Sequence, residues 1–456
     1  MAERQYPQEL RRSLGLLGNL GITLSGITPA GSLFVIGAVT YRQQGSGAVL
    51  SMLLAAVLGL GMALCFAELG AALPFAGGWY YHVARSLGRP IGFAYLIAFI
   101  LPLPLGLSIS PLGAGEYLAA LWPRVPVHTA AALMVAAATA VAMLAIRASE
   151  RVTGAFLAVE LALLALLAAL GFSHAHQPWS VLLHPQIATA GGMGPASSGV
   201  VLAGAATALL TYNGYDAAVL LSEETRGPRK QIARAVLLAF GLSVAAQIIP
   251  LTACLLGAPS LRDLASSPAP MSYVVRSLGG ARLDGLMTIG IVLALFNSQV
   301  ASMLWVSREW YGAARDEAFP ARLNRWFRAI HPRWHSPWKG TLTLGAAALI
   351  GCLAPNVETL VGVSASLYSL YYAVVAVAAL VGRWTLRDVP RPWRMPLWPA
   401  PPLVALLGIG WALSQQSTAN LISALALFGV GGLYYALYLR PRRATRGLLL
   451  EPAGGD

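Results

Sequence analysis

The feature that most limits this chain is an apolar run long enough to cross a bilayer but interrupted at its centre. Gly15 to Gly37 reads LGNLGITLSGITPAGSLFVIG from Leu17 onward. About 20 apolar residues span the hydrocarbon layer. An unpaired peptide group there costs on the order of several kcal/mol, so irregular backbone survives only inside protein or beside a wet cavity. In Ser25-Gly26-Ile27-Thr28-Pro29, proline removes an amide donor and clashes with the preceding turn, while Gly26 loosens the chain. Thr28-Pro29 also reads as an N-cap followed by proline at the first helical position. The stretch predicts two half-helices meeting at mid-membrane. The first would end near Thr23 with free carbonyls, and the second would start at Thr28 with free amides. An ordinary kinked span is the alternative.

The 456 residues are 57% hydrophobic and only 11% charged, where soluble domains carry about 25% charged residues. The chain therefore reads as an all-α polytopic membrane protein. Apolar spans fall near 15–40, 48–73, 91–121, 127–146, 152–172, 196–221, 232–257, 284–311, 340–354, 358–382, 400–415 and 418–439. These predict twelve transmembrane helices with both termini on one side. Of the 31 Lys and Arg residues, 26 lie on the side of the termini; only Arg42, Arg124, Arg262, Arg276 and Arg282 lie opposite. Cytoplasmic loops carry such an excess, so both termini are expected in the cytoplasm, with a bacterial inner membrane as the setting.

The net charge of +13 is thus a topology signal that also favours anionic membrane lipid, and no nucleic-acid partner is expected. Cys65, Cys254 and Cys352 fall within spans, and three buried thiols make no disulfide framework. The start, MAERQYPQELRR, lacks the apolar core of a signal peptide, so the first span is expected to be retained. No metal or cofactor motif is present: there is no HExxH, nucleophile elbow or P-loop. His174, His176 and His184, like His331 and His335, read as interfacial histidines.

Polar residues inside the spans are the candidates for function. Glu160 stands in the apolar fifth span, where a carboxyl is costly and marks function by default; it is a candidate proton carrier or a structural partner of a neighbouring helix. The sixth span is interrupted too, at Tyr212-Asn213-Gly214-Tyr215-Asp216. Asn213-Gly214 reads as a left-handed helix stop, and Asp216 as the cap of a new half-helix. Paired interrupted spans in corresponding halves are the best sequence pointer to a transporter's substrate site. The third span carries Pro102, Pro104 and Pro111 with Ser108 and Ser110, which predicts a bent helix offering hydroxyls to a cavity. Gly77-Gly78-Trp79-Tyr80-Tyr81 after Glu68, the mixed-charge run 222–235 and the run 307–320 read as interfacial clusters or solubilising loops.

Four stretches taken together resemble the amino acid–polyamine–organocation transporter superfamily: the break at 25–27, the loop at 77–80, Tyr212 to Lys230, and Ser307 to Pro320. The resemblance covers about residues 10–440. The break Gly26-Ile27-Thr28-Pro29 is closer to the choline, γ-aminobutyrate and polyamine branch than to members with a Gly-Ser-Gly break. The superfamily implies alternating access through a five-plus-five inverted repeat with discontinuous helices 1 and 6. Here the repeats would be 15–172 and 196–382 within a core of 15–382. Residues 1–14 would form a cytoplasmic N-terminus, 383–439 two extra helices, and 440–456 a cytoplasmic tail. By position, Ile22, Ser25, Gly26 and Ile27, with Thr28, would line the substrate subsite on the first span. Leu210, Tyr212, Asn213, Gly214 and Asp216 would do so on the sixth, with Ser108, Phe296 and Asn297 as candidates for the side-chain pocket. Glu160 stands where some proton-coupled members carry a lysine in place of a sodium ion, with the charge reversed. Leu210 stands where some exchangers place a gating tryptophan. Asp216 stands where others have acidic residues linked to pH dependence.

The leading expectation is a secondary transporter of amino acids, neutral ones above all, working by proton symport or by exchange. Proton coupling would rest on Glu160 and Asp216. A polyamine or organocation permease, with Asp216 and Glu116 meeting the cation, is the rival within transport. A non-transporting receptor on the same fold is the rival in another class. The residues set no oligomeric state.

Overall fold

The computed structural model describes residues 5–6, 10, 12–75, 77–100, 102–144, 146–189, 192–267, 269–354, 357–414, 416, 418–442 and 451–452, some by backbone alone. Each predicted apolar stretch is helical, because in hydrocarbon a helix pairs its own peptide groups without help. The first stretch is divided into α1 (Leu16–Ile27), α2 (Pro29–Ser32), a π-turn and α3 (Ala38–Gln44). The second is the unbroken α4 (Ala48–Ala72), followed by the short connector α5 (Gly78–Leu87). The prolines of the third divide it into α6 (Arg89–Ile100), α7 (Leu103–Gly106) and α8 (Ile109–Leu121). Then come α9 (Val127–Ala142), α10 (Ile146–Ser173) and the interrupted pair α11 (Ser198–Leu209) and α12 (Ala217–Leu220). A small hairpin, Gln186–Thr189 against Gly192–Pro195, precedes that pair.

The second half continues with α13 (Lys230–Gly257), the short α14 (Leu261–Ser266) and the long α15 (Pro270–Arg315). Gly280, at φ 80°, kinks α15, so the helix predicted from 284 is the straight part beyond that kink. The chain ends with α16 (Ala321–Phe327), α17 (Trp338–Gly351), α18 (Val357–Thr385), α19 (Ala400–Ser414) and α20 (Thr418–Tyr434). Seven helical stretches among the described residues are long and apolar enough to cross a membrane, and α9 and α19 are shorter apolar helices.

Helix α1 lies at the centre, packed among α10, α13 and α15. Between apolar helices in lipid, close packing replaces the hydrophobic effect as the adhesive, and small residues permit it. Gly171 of α10 shows this: a Cβ there would stand 2.3 Å from the Ala253 carbonyl of α13. Large apolar side chains such as Leu407, Leu433 and Leu437 face outward, the inverse of a water-soluble surface. All three cysteines are buried and free.

The connector α5 is built into the body. Trp79, Tyr80, Tyr81 and His82 are all buried, so the predicted interfacial aromatic cluster is an internal one. His82 Nε2 lies 2.9 Å from the Leu73 carbonyl and donates to it; its Nδ1 has no partner among the described residues. Burial pushes the imidazole down to about 4. Since the folded value lies below the ordinary value near 6.5, the stability it protects is complete above pH 6.5 and is lost as pH falls toward 4. At pH 5 the loss is about 2 kcal/mol relative to pH 7. His82→Gln, which keeps a donor and cannot titrate, is expected to flatten this part of the melting-temperature profile between pH 7 and 5. An unchanged slope by thermal unfolding in detergent would assign the pH sensitivity to other groups.

Candidate functional site

The first break is one residue wide. Helix α1 runs through Thr23, where sequence reasoning ended it, to Ile27. Thr28 then adopts a left-handed conformation (φ 44°, ψ 76°) and Pro29 opens α2. The predicted side-chain cap is also corrected, for Thr28 makes no capping bond to its own helix. Glu160 of α10 does that work. Its Oε1 accepts from the Ala30 amide at 2.8 Å and from the Thr28 hydroxyl at 3.0 Å. A carboxylate at a helix start meets both the orphan amides and the positive end of the dipole. Its Oε2 has no partner among the described residues, and the side chain is fully buried.

The same side of the break is tied down further. Ser298 donates to the Gly26 carbonyl at 3.2 Å, and Ser32 donates to the Ile27 carbonyl at 2.9 Å. Ser25 and Asn297 both donate to the Thr153 carbonyl of α10, at 3.3 and 3.1 Å. Thus Ser25 and Asn297 join Glu160 on the α10–α15 side of α1. Ile22 is buried on the same helix.

The second break touches the first. Helix α11 tightens into a 3₁₀ turn at Leu210–Tyr212 and stops. Asn213 is extended (φ −59°, ψ 143°) and not left-handed as its pairing with Gly214 predicted. Gly214 alone takes the positive angle, φ 112°. A Cβ on Gly214 would stand 3.2 Å from Ile27 Cγ1, so the two interruptions abut. Asp216 precedes α12 without a side-chain capping bond, which corrects the predicted cap. Its Oδ2 accepts from Tyr371 at 3.1 Å, and Oδ1 has no partner among the described residues. Asn213 Oδ1 accepts from Tyr372 at 2.7 Å. Tyr212 turns outward from the break and donates to the Met52 carbonyl; Leu210 is half-buried beside it.

Rings enclose this second cluster. Trp79 stacks edge-on with Trp305 and with Tyr371 at 5.4 and 5.2 Å, and Phe66 packs against Tyr215, Tyr371 and Tyr372. Trp305 sits over the first break: a Cβ on Gly26 would lie 3.1 Å from its Nε1, which has no partner among the described residues. Sequence reasoning missed Trp305, Tyr371 and Tyr372, since aromatic residues in apolar helices look like packing. It also missed Glu309 on α15, a buried carboxyl with both oxygens unpartnered among the described residues.

Two candidates for the side-chain pocket are engaged elsewhere. Ser108 donates to the Ala348 carbonyl at 2.8 Å and lies against Gly351, joining the third apolar stretch to α17. Phe296 packs edge-on against Phe156 of α10 at 5.8 Å.

The charged runs form a closure on the Arg-rich face. Arg308 Nε meets Glu224 at 2.7 Å with both side chains almost wholly buried, and Arg315 grips Glu223 at 3.0 Å through both nitrogens. The Tyr80 hydroxyl donates to Asp316 at 2.5 Å. Ser13 and Leu14 amides both donate to the Glu224 carbonyl at 2.9 Å, and Asn19 donates to Ala218 and Thr225. Glu68 accepts from Arg383, Arg391 and the Met395 amide, each within 2.7 Å. Ser222 to Thr225 and Ser307 to Asp316 are thus internal struts, whereas Arg226 to Pro228 are exposed.

A bundle of apolar helices in which two interruptions meet, with a charged closure on one side, defines a membrane transporter. The fold is that of a solved nucleobase-cation-symport-1 family transporter in a closed conformation with bromovinylhydantoin bound, at TM-score 0.52 and 15% identity over 93% of this chain and 96% of that one. Residues 14–435 match the family model described as amino acid permease, and the chain belongs to that family within the amino acid–polyamine–organocation superfamily. It is 31% identical to an uncharacterized transporter from Mycobacterium tuberculosis over 95% of this chain and 93% of that protein. It is 25% identical to the branched-chain amino acid permease of Bacillus subtilis over 95% and 94%.

Two outcomes test this geometry. Gly214→Ala forces a Cβ into a left-handed backbone beside Ile27, and transport is expected to fall at least tenfold while the protein remains in the membrane; normal uptake would separate the breaks. Arg308→Gln leaves Glu224 buried and unpaired, a loss of about 3–5 kcal/mol. The double variant Arg308→Gln/Glu224→Gln is expected to recover more than half of it in a melting-temperature cycle.

Proposed function

We propose that this permease carries neutral amino acids by alternating access, coupled to protons through Glu160. The contact between Gly214 and Ile27 carries the reading, because it places both irregular segments at one point. An amino acid needs donors for its carboxylate and acceptors for its ammonium. The start of α2 presents a positive dipole end, now held by Glu160, and the ends of α1 and α11 present negative ends, where a substrate ammonium would share the Gly26 and Ile27 carbonyls with Ser298 and Ser32. The branched-chain activity named for the Bacillus subtilis relative favours an apolar side chain. The arginines named at the closure, Arg308 and Arg315, are paired with carboxylates, which leaves the dipoles to recognise the charged groups.

The coupling follows from competition for one amide. Glu160 already occupies the Ala30 N–H where a substrate carboxylate would dock. Two carboxylates cannot share that positive end without repulsion. A proton on Glu160 removes its charge, weakens its hold on Ala30 and admits the substrate. Release of the proton restores the internal cap and expels the substrate. On this reading Ser25, Gly26, Ile27 and Thr28 form the first wall of the site, and Asn213, Gly214 and Asp216 the second. The chain has twelve spans in a five-plus-five repeat, with the Arg-rich face and both termini in the cytoplasm of a bacterial cell. The closure then shuts the cytoplasmic gate.

A polyamine or organocation substrate is the second reading. It is favoured by the unpartnered oxygens of Asp216 and Glu309 near the rings of Trp79, Trp305 and Tyr371, groups that attract cations.

In proteoliposomes, Glu160→Gln is expected to transport at a rate that no longer rises with acidity between pH 8 and 5, since the amide mimics the protonated acid. Retention of the wild-type pH profile would remove Glu160 from coupling. Unlabelled leucine or alanine is expected to compete at least tenfold better than putrescine; the reverse order would establish the second reading.

A further inference from the structure

A cavity of about 1000 Å³ lies on the Arg-rich face, away from the two breaks. It opens where α5 meets α6, the end of α18 passes into its loop, and the chain leaves α20. Arg85, Arg89 and Arg440 line it from three different elements, with Asp388 the only acidic side chain on its wall among the described residues. Such a concentration of guanidinium groups is matched by phosphate, which accepts from planar forks in pairs. On the α20 side the wall is apolar, formed by Gly432 and Tyr435. One row around the same helix, Leu433 and Leu437 are 62% and 74% exposed. Leu433 and Leu437 lie outside the cavity lining, on the neighbouring face of the helical stretch that supplies Gly432, Tyr435 and Ala436 to its wall.

We propose that this cavity binds the phosphate headgroup of an anionic phospholipid of the cytoplasmic leaflet, with an acyl chain lying along Leu433 and Leu437. A soluble phosphate would satisfy the arginines and leave Leu433 and Leu437 without a partner, so the lipid fits both. Basic pockets between helices at the cytoplasmic end of a bundle have the field such headgroups seek. The site spans α5, α18 and α20, and α18 also supplies Tyr371 and Tyr372 to the second break. An occupied cavity would tie the last helix to a helix that lines the transport path.

The test is lipid retention by the purified full chain, read by native mass spectrometry after equilibration with equimolar phosphatidylglycerol and phosphatidylcholine. The wild type is expected to retain phosphatidylglycerol selectively. Arg89→Gln/Arg440→Gln is expected to retain at least threefold less. Arg322→Gln/Arg325→Gln, an equal charge loss on exposed α16, should match the wild type. Asp388→Asn removes the opposing charge and is expected to retain about twofold more, a gain that misfolding cannot produce. Equal losses from both arginine pairs, or no gain from Asp388→Asn, would overturn the proposal in favour of general surface attraction. A melting shift from millimolar inorganic phosphate as large as that from phosphatidylglycerol would overturn it in favour of a soluble anion.

Discussion

The structure depends on a carboxylate that caps a helix it does not belong to. Breaking α1 after Ile27 opens peptide groups in a medium without water to pair them. Glu160 reaches across from α10 to the Ala30 amide and the Thr28 hydroxyl, while Ser298 and Ser32 take the carbonyls left behind. These partners stabilise the left-handed turn at Thr28, a break that Pro29 already favours. A charge in the bundle and a gap in its central helix are each costly alone, and together they stabilise one another.

That arrangement divides the surroundings of α1 into two unlike halves. Toward α10 and α15, hydroxyls, amides and one carboxylate hold the break in place. Toward α12 and α18, a gallery of rings surrounds Asp216, Asn213 and the Gly214 turn. Both halves retain polar atoms without a partner among the described residues: Glu160 Oε2 and Asn297 Oδ1 in the first, Asp216 Oδ1 in the second, and the Glu309 oxygens and the Trp305 indole nitrogen on α15. Groups left unsatisfied in a dry interior are where a polar solute gains most by binding.

The closure on the Arg-rich face has the opposite character. Arg308–Glu224 and Arg315–Glu223 are buried ion pairs whose separation exposes both members to a costly environment unless water enters at once. Such pairs are poor sources of net stability and good two-state elements. They join the run after α12 to the end of α15, which both lead directly to the breaks.

Much of this was legible in the residues because backbone chemistry in lipid is restrictive. An apolar run with Gly26, Thr28 and Pro29 at its centre favours a break over a continuous helix, and the second interruption at Gly214 reads by the same rule. Apolar length located the helices, and an isolated glutamate in the fifth span announced a task. What the residues left open was decided by distance between segments remote in sequence. The cap on α2 comes from 130 positions downstream and not from Thr28. Asp216 turns to Tyr371 instead of its own helix, Ser108 serves α17, and Glu223 and Glu224 are buried against Arg315 and Arg308. Local chemistry dictates where a chain must break, since that cost is paid at each peptide group. Which side chain answers the break depends on which helices are packed together, and only the tertiary structure contains that information.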